Sequence, residues 1–191
     1  MVPLAHWHIE AEKGPISAEC VDRGIISFQS LIEWVEQLPY KRNSNRADFS
    51  LVFDEECGAC STKHALVKSV ADENGWTAVE LFLGQYEMSE ETNPGVGLIL
   101  HQNQLDFIPE AHVFLKIDGR IVDLTGLPKG VNSFELSLTN AHIIEPHQIG
   151  DYKVKWQENM LTNFGSIFNK SLDELNRIRE NCLLLLKDSC G

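Results

Sequence analysis

The stretch Ala111-His-Val-Phe-Leu-Lys-Ile-Asp-Gly-Arg-Ile-Val-Asp-Leu-Thr125 constrains this chain more than any other. Asp-Gly between two apolar, β-branched runs is the strongest short-range hairpin signal, because a two-residue type I′ loop needs positive φ at both positions. With Asp118-Gly119 as the loop, Ile117 faces Arg120, Leu115 faces Val122, Phe114 faces Asp123 and His112 faces Thr125. Side chains alternate along a strand. Val113, Leu115, Ile117, Val122 and Leu124 therefore share one core-like face, and His112, Phe114, Asp123 and Thr125 share the other. This register makes His112 and Asp123 diagonal neighbours, about 7–8 Å apart and within reach of a side-chain hydrogen bond. A carboxylate that holds an imidazole fixes its tautomer and direction, as a general base requires. The plain alternative is a polar pair on a solvated sheet face, and a one-residue slip in register would turn Asp123 into the core.

A second cluster lies upstream. Glu56-Cys57-Gly58-Ala59-Cys60 reads as a turn that feeds a helix beginning at Cys60 or Ser61, with Ala65, Leu66, Val70 and Ala71 apolar and Asn74-Gly75 as the C-cap. A helix N-terminus lowers a thiol pKa through its positive dipole end, and the thiolate is the nucleophile. Unused N–H groups in the first turn can also receive an oxyanion. Cys60 as nucleophile, His112 as base and Asp123 as its orienter thus supply the parts that acyl transfer needs. His64, one helical turn from Cys60, is a second candidate base, though with no evident carboxylate to orient it. The bland reading of Cys60 is a buried, inert thiol.

The remaining chain has no repeat or low-complexity tract. Phe28, Leu31, Ile32 and Val35 recur at helical spacing and stop at Pro39, KRNSNRAD reads as a loop, and FSLVF (49–53) reads as a short strand. Residues 77–83 predict a strand, Asn93-Pro94-Gly95 a turn before a short helix, 134–144 a further strand and 154–168 a helix. Ser171-Leu-Asp-Glu174 is a capping box that opens a final helix carrying Leu172, Leu175, Ile178, Cys182 and Leu186 on one side. Helices packed on a central antiparallel sheet, an α+β fold in one domain over residues 1–191, is the expectation.

Composition narrows the partners. Hydrophobic residues at 43% and charged residues at 23% describe a globular chain. The net charge of −12 repels phosphate backbones and anionic bilayers, so neither nucleic acid nor membrane is an expected partner. MVPLAHWHIEAEKG lacks the basic and apolar regions of a secretory signal, and five cysteines (Cys20, Cys57, Cys60, Cys182, Cys190) are too few and too odd in number for a disulfide framework. The expected compartment is reducing and cytoplasmic, with Cys20, Cys182 and Cys190 as thiols.

Gly58-Ala59-Cys60-Ser61-Thr62-Lys63-His64 opening a helix, Pro109-Glu110-Ala111-His112 on a strand and Arg120-Ile121-Val122-Asp123 on the next resemble the transglutaminase-like superfamily of papain-like cysteine enzymes. The order Cys, His, Asp is that family's order. Bacterial members of unassigned function carry a similar Cys-Ser-x-Lys-His stretch. The likeness covers roughly residues 40–125, with a C-terminal helical extension at about 154–188. It implies a Cys60 helix packed against an antiparallel sheet bearing His112 and Asp123. It also implies thioester chemistry on a small-molecule, peptide or protein acyl substrate, with no metal and no cofactor. Ser61 stands where animal transglutaminases have tryptophan, and no EF-hand-type calcium loop is present, which argues against glutamine–lysine cross-linking.

Two other classes stay open. A strand at 49–53, Cys57-x-x-Cys60 and a helix is the context of a thioredoxin-like thiol–disulfide oxidoreductase, although that reading gives His112 and Asp123 no role. A catalytically inactive binding module on the same fold is the other. Zinc is disfavoured, since one Cys-x-x-Cys supplies two ligands where a structural site takes four.

Overall fold

Asp118 and Gly119 both adopt the left-handed conformation, at φ 49° and 75°, and close the hairpin as the sequence predicts. The computed structural model describes residues 6–127 and 130–188. Its strands are β1 (Val79–Met88), β2 (Ile108–Ile117), β3 (Arg120–Val122) and β4 (Thr139–Ile143), in one antiparallel sheet ordered β3-β2-β1-β4. Leu115 pairs with Val122, Lys116 with Ile121 and Ile117 with Arg120, the register expected. Seven helices accompany the sheet among the described residues: α1 (Pro15–Asp22), α2 (Phe28–Gln37), α3 (Leu51–Glu55), α4 (Cys60–Glu73), α5 (Gly97–Gln102), α6 (Asp151–Phe168) and α7 (Leu172–Asp188). The fold is α+β. Cys190 lies outside the described residues.

Residues 6–82, Val113–Gly126 and Ile143–Ile149 pack as one compact unit, and Leu83–His112, Leu127, 130–142 and 150–188 as another. In the first, α4 is the central element. Residues 60–67 and 69–71 are all buried, with α1, α2, α3 and the turn Pro146–Ile149 packed around it. Its C-terminal end caps a neighbour: the Glu73 carboxylate accepts the N–H groups of Ile16 and Ser17 at 3.0 and 2.6 Å. Those donors have no partner within α1, and a carboxylate there also opposes the helix dipole. A Cβ on Gly14 would lie 2.2 Å from Glu73 Cδ, so a side chain there would have to displace the capping carboxylate. Ser27 and Ser30 cap α2 reciprocally, and Trp7, Phe28 and Trp76 form a mutual ring cluster with centroids 5.0–5.3 Å apart.

In the second unit α6 and α7 pack on each other. Ser171 Oγ accepts the Glu174 N–H at 3.2 Å; of the predicted stripe Leu175, Ile178, Cys182 and Leu186 are buried and Leu172 is half-buried. Arg179 lies in the same buried face and grips Glu110 of β2 through Nε and Nη2, the latter at 2.6 Å from Oε1.

Three elements differ from expectation. FSLVF is not a strand; Leu51–Glu55 is a helix. Asp48 Oδ1 accepts both the N–H and the hydroxyl of Ser50, and Phe49 and Ser50 carbonyls accept the Val52 and Phe53 N–H groups, which winds the segment into a turn. A five-residue apolar run has no period of its own to choose between the two states. Strand β1 also runs five residues past its predicted end, and a 3₁₀ turn at Phe134–Ser137 replaces the first part of the strand expected at 134–144.

Candidate active site

Cys60 is the first residue of α4, with Ala59 in extended conformation as the N-cap. The turn before it is braced from both sides. Glu56 ends α3 in the left-handed conformation at φ 46°. The Gly58 N–H donates to Pro39 O at 3.2 Å, and a Cβ at Gly58 would approach Lys63 Cγ to 2.8 Å. Asn43, within the stretch KRNSNRAD read as a loop, is buried. Its Nδ2 donates to Cys57 O at 3.0 Å and to Glu55 Oε2 at 2.9 Å, and its Oδ1 accepts the Thr62 hydroxyl at 2.7 Å. Thr62 Oγ1 in turn accepts the Ala59 N–H at 3.1 Å. Hydrogen bonds from Ser44 and Asn43 hold the Glu55 carboxyl below its ordinary range. The backbone that presents Cys60 is therefore fixed through side chains on three separate segments.

Cys60 and Cys57 are 3% and 4% exposed and are not bridged. The polar run that follows Cys60 is buried as well, including Lys63 and His64 at 0%. Cys60 Sγ lies 3.9 Å from Ser61 Oγ. Cys20 and Cys182 are thiols of another kind. Burial, with Glu73 nearby, pushes the Cys20 thiol up to about 12, and burial, with Glu110 nearby, pushes Cys182 up to about 11.

Asp123 stands in the same unit as Cys60, one residue beyond β3. Its Oδ1 accepts the Thr125 N–H at 3.2 Å and its Oδ2 the Thr125 hydroxyl at 3.1 Å. His64 Nε2 is 3.5 Å from Asp123 Oδ1, so a carboxylate does stand beside His64, a neighbour that spacing along α4 does not reveal. The same Nε2 lies 2.7 Å from the Leu124 backbone nitrogen, and Nδ1 lies 2.7 Å from Cys60 O. An amide nitrogen can only donate and a carbonyl can only accept, which assigns the proton to Nδ1. Both ring nitrogens are thereby committed to backbone groups. His64 is a structural residue and does not serve as the second candidate base.

His112 is the last residue of its stretch in the second unit, on β2. It is 7% exposed, with the Phe134 ring edge-on at 4.7 Å and the Tyr86 ring edge-on at 5.7 Å. Tyr86 and Phe134 also meet each other at 5.6 Å, and the Tyr86 hydroxyl donates to Asn93 Oδ1 at 2.9 Å. The face that carries His112 is not solvated. Phe114, on the same face, is fully buried and stacks on Phe82, so β2 is covered on both sides. The sequence offered no signal for Tyr86, Phe134 or Asn43 in these surroundings, because each arrives from another segment, and none for the burial of Lys63, whose acceptors Leu38, Leu124 and Thr125 are distant in the chain.

Among the described residues no group of three or more His, Cys, Asp and Glu side chains is arranged to hold a metal ion, and no helix is long and apolar enough to cross a membrane. Comparison with family models, with curated proteins and with solved structures finds no match to this chain.

Proposed function

We propose that this chain is a cysteine-dependent acyltransferase or amide/ester hydrolase of transglutaminase-like, papain-like type, with Cys60 as nucleophile, His112 as base and Asp123 as the orienter of His112. The observation that carries the reading is Cys60 at the first position of a buried helix, with the Asp123 carboxylate standing beside that same helix, 3.5 Å from His64 Nε2. The first N–H groups of a helix are not used by its own carbonyls. Directed at a substrate, they stabilise the oxyanion that forms when the sulfur attacks a carbonyl carbon. In the step proposed, His112 removes the thiol proton as the C–S bond forms. The tetrahedral intermediate then collapses, the bond to the leaving amine or alcohol breaks, and His112 returns the proton to that group. Water or an amine next attacks the thioester and frees Cys60. The segment ahead of Cys57 is a helix, whereas the dithiol reading rests on a strand there.

The test is acylation by p-nitrophenyl acetate, followed by p-nitrophenolate release and by the mass of the Cys60 peptide. Cys60→Ser should abolish the adduct and Cys57→Ser should retain it, because dithiol exchange needs both sulfurs. His112→Ala and Asp123→Asn should each slow acylation by roughly 10²-fold or more, the usual contribution of a positioned base. A Cys60 thiol that reacts no faster than free cysteine at neutral pH, unchanged by His112→Ala, would sink the reading.

A further inference from the structure

Strand β3 ends at Val122, so the backbone of Leu124 and Thr125 has no ladder partner on that strand, and buried backbone polar groups must be satisfied elsewhere. Leu124 and Thr125 are 2% and 3% exposed. Two consecutive residues of α4 supply what is missing. Lys63 Nζ donates to Leu124 O at 3.1 Å, to Thr125 O at 3.0 Å and to Leu38 O at 2.7 Å. His64 Nε2 accepts the Leu124 N–H at 2.7 Å. The next residue completes the clamp: Gly126 sits at φ 71°, where a Cβ would lie 2.7 Å from Glu36 O at the end of α2.

The chemistry of Lys63 explains its place. A fully buried ammonium is costly unless its donors are used. Here the three N–H bonds of one ammonium meet three carbonyls. An apolar residue of equal volume would fill the space and leave those carbonyls bare. Both Asp123 oxygens bond to Thr125, so the direction of the carboxylate follows the 123–125 backbone that Lys63 and His64 hold.

We infer that Lys63 and His64 are positioning residues of the reaction, acting only through Asp123: they clamp the strand exit to the helix of the nucleophile and so aim the carboxylate. This rests on the proposed role of Asp123, and its test separates the two. Acylation by p-nitrophenyl acetate is measured for Lys63→Met, His64→Leu and His64→Gln, each in the native and the Asp123→Asn background, with the Leu124 and Thr125 backbone amides followed by NMR. Glutamine keeps an acceptor near the Nε2 position. Lys63→Met and His64→Leu should slow acylation about tenfold in the native background, within the range of coupled neighbours, and leave the Asp123→Asn rate unchanged. His64→Gln should restore most of the loss, and the Leu124 amide should shift in His64→Leu and return in His64→Gln. Equal slowing in both backgrounds overturns the inference, as does a Leu124 amide unmoved in His64→Leu. If Asp123→Asn itself leaves acylation unchanged, the function proposed for Asp123 fails, while the amide shifts still decide whether the clamp exists. Should Lys63→Met fail to fold, His64→Leu and His64→Gln decide between the same two outcomes.

Discussion

Arg179 and Glu110 form a buried ion pair within the second unit. Two parallel hydrogen bonds join them, and their side chains are 4% and 5% exposed. Exposed pairs are worth about 0–1 kcal/mol, whereas removing one partner of a buried pair costs about 3–5 kcal/mol because the other charge stays behind unmatched. Burial assigns this pair to the second case. Arg179 Nη1 also reaches Glu180 Oε1 at 2.8 Å. Loss of Glu110 therefore leaves the guanidinium one carboxylate, while loss of Arg179 strips Glu110 of both guanidinium bonds. The order expected is Arg179→Met at about 3–5 kcal/mol, then Glu110→Leu somewhat less. The double variant should lie near the native protein, because apolar groups that replace both partners avoid the desolvation term. Urea unfolding followed by circular dichroism measures each, and for a chain of this size the Arg179→Met loss corresponds to a fall in Tm of roughly 6–20 °C. A loss below about 1 kcal/mol for Arg179→Met, or a double variant no better than the singles, would refute the assignment of a fully desolvated pair. Glu110 precedes His112 by two positions on the same face of β2, so Arg179→Met should also loosen the strand that bears the proposed base.

Cys20 sets a pH dependence. Its folded thiol titrates near 12 against 9.0 ordinarily, so the unfolded chain loses this proton first as pH rises. The associated stability is complete below pH 9 and declines from there towards 12, by at most about 1.4 kcal/mol per pH unit. Cys20→Ala should flatten that decline between pH 9 and 11, and an unchanged slope would contradict it. Asn43→Ala removes the donor to Cys57 O and the acceptor for Thr62, and should cost about 1–3 kcal/mol in urea unfolding. A cost below about 0.5 kcal/mol would be that of a surface loop.

What the sequence by itself determined are the local devices. Asp118-Gly119 dictated a two-residue loop and a single register, since few residues tolerate positive φ and a slip of one exchanges the faces. Helical spacing and capping marked α2, the start of α4 at Cys60 and the start of α7, because those signals lie within one turn of each other. Tertiary structure decided the rest. FSLVF carried no period, and hydrogen bonds from Ser50 to the Asp48 carboxylate helped wind it into a helix. Spacing placed His64 one turn from Cys60 and presented it as a base, but its Nδ1 bonds to the Cys60 carbonyl and its Nε2 is committed to the Leu124 N–H, 60 residues away. The burial of Lys63 and Asn43 likewise could not be read locally. A polar side chain enters a core only where distant carbonyls, hydroxyls and amides satisfy it, and packing alone brings those groups together.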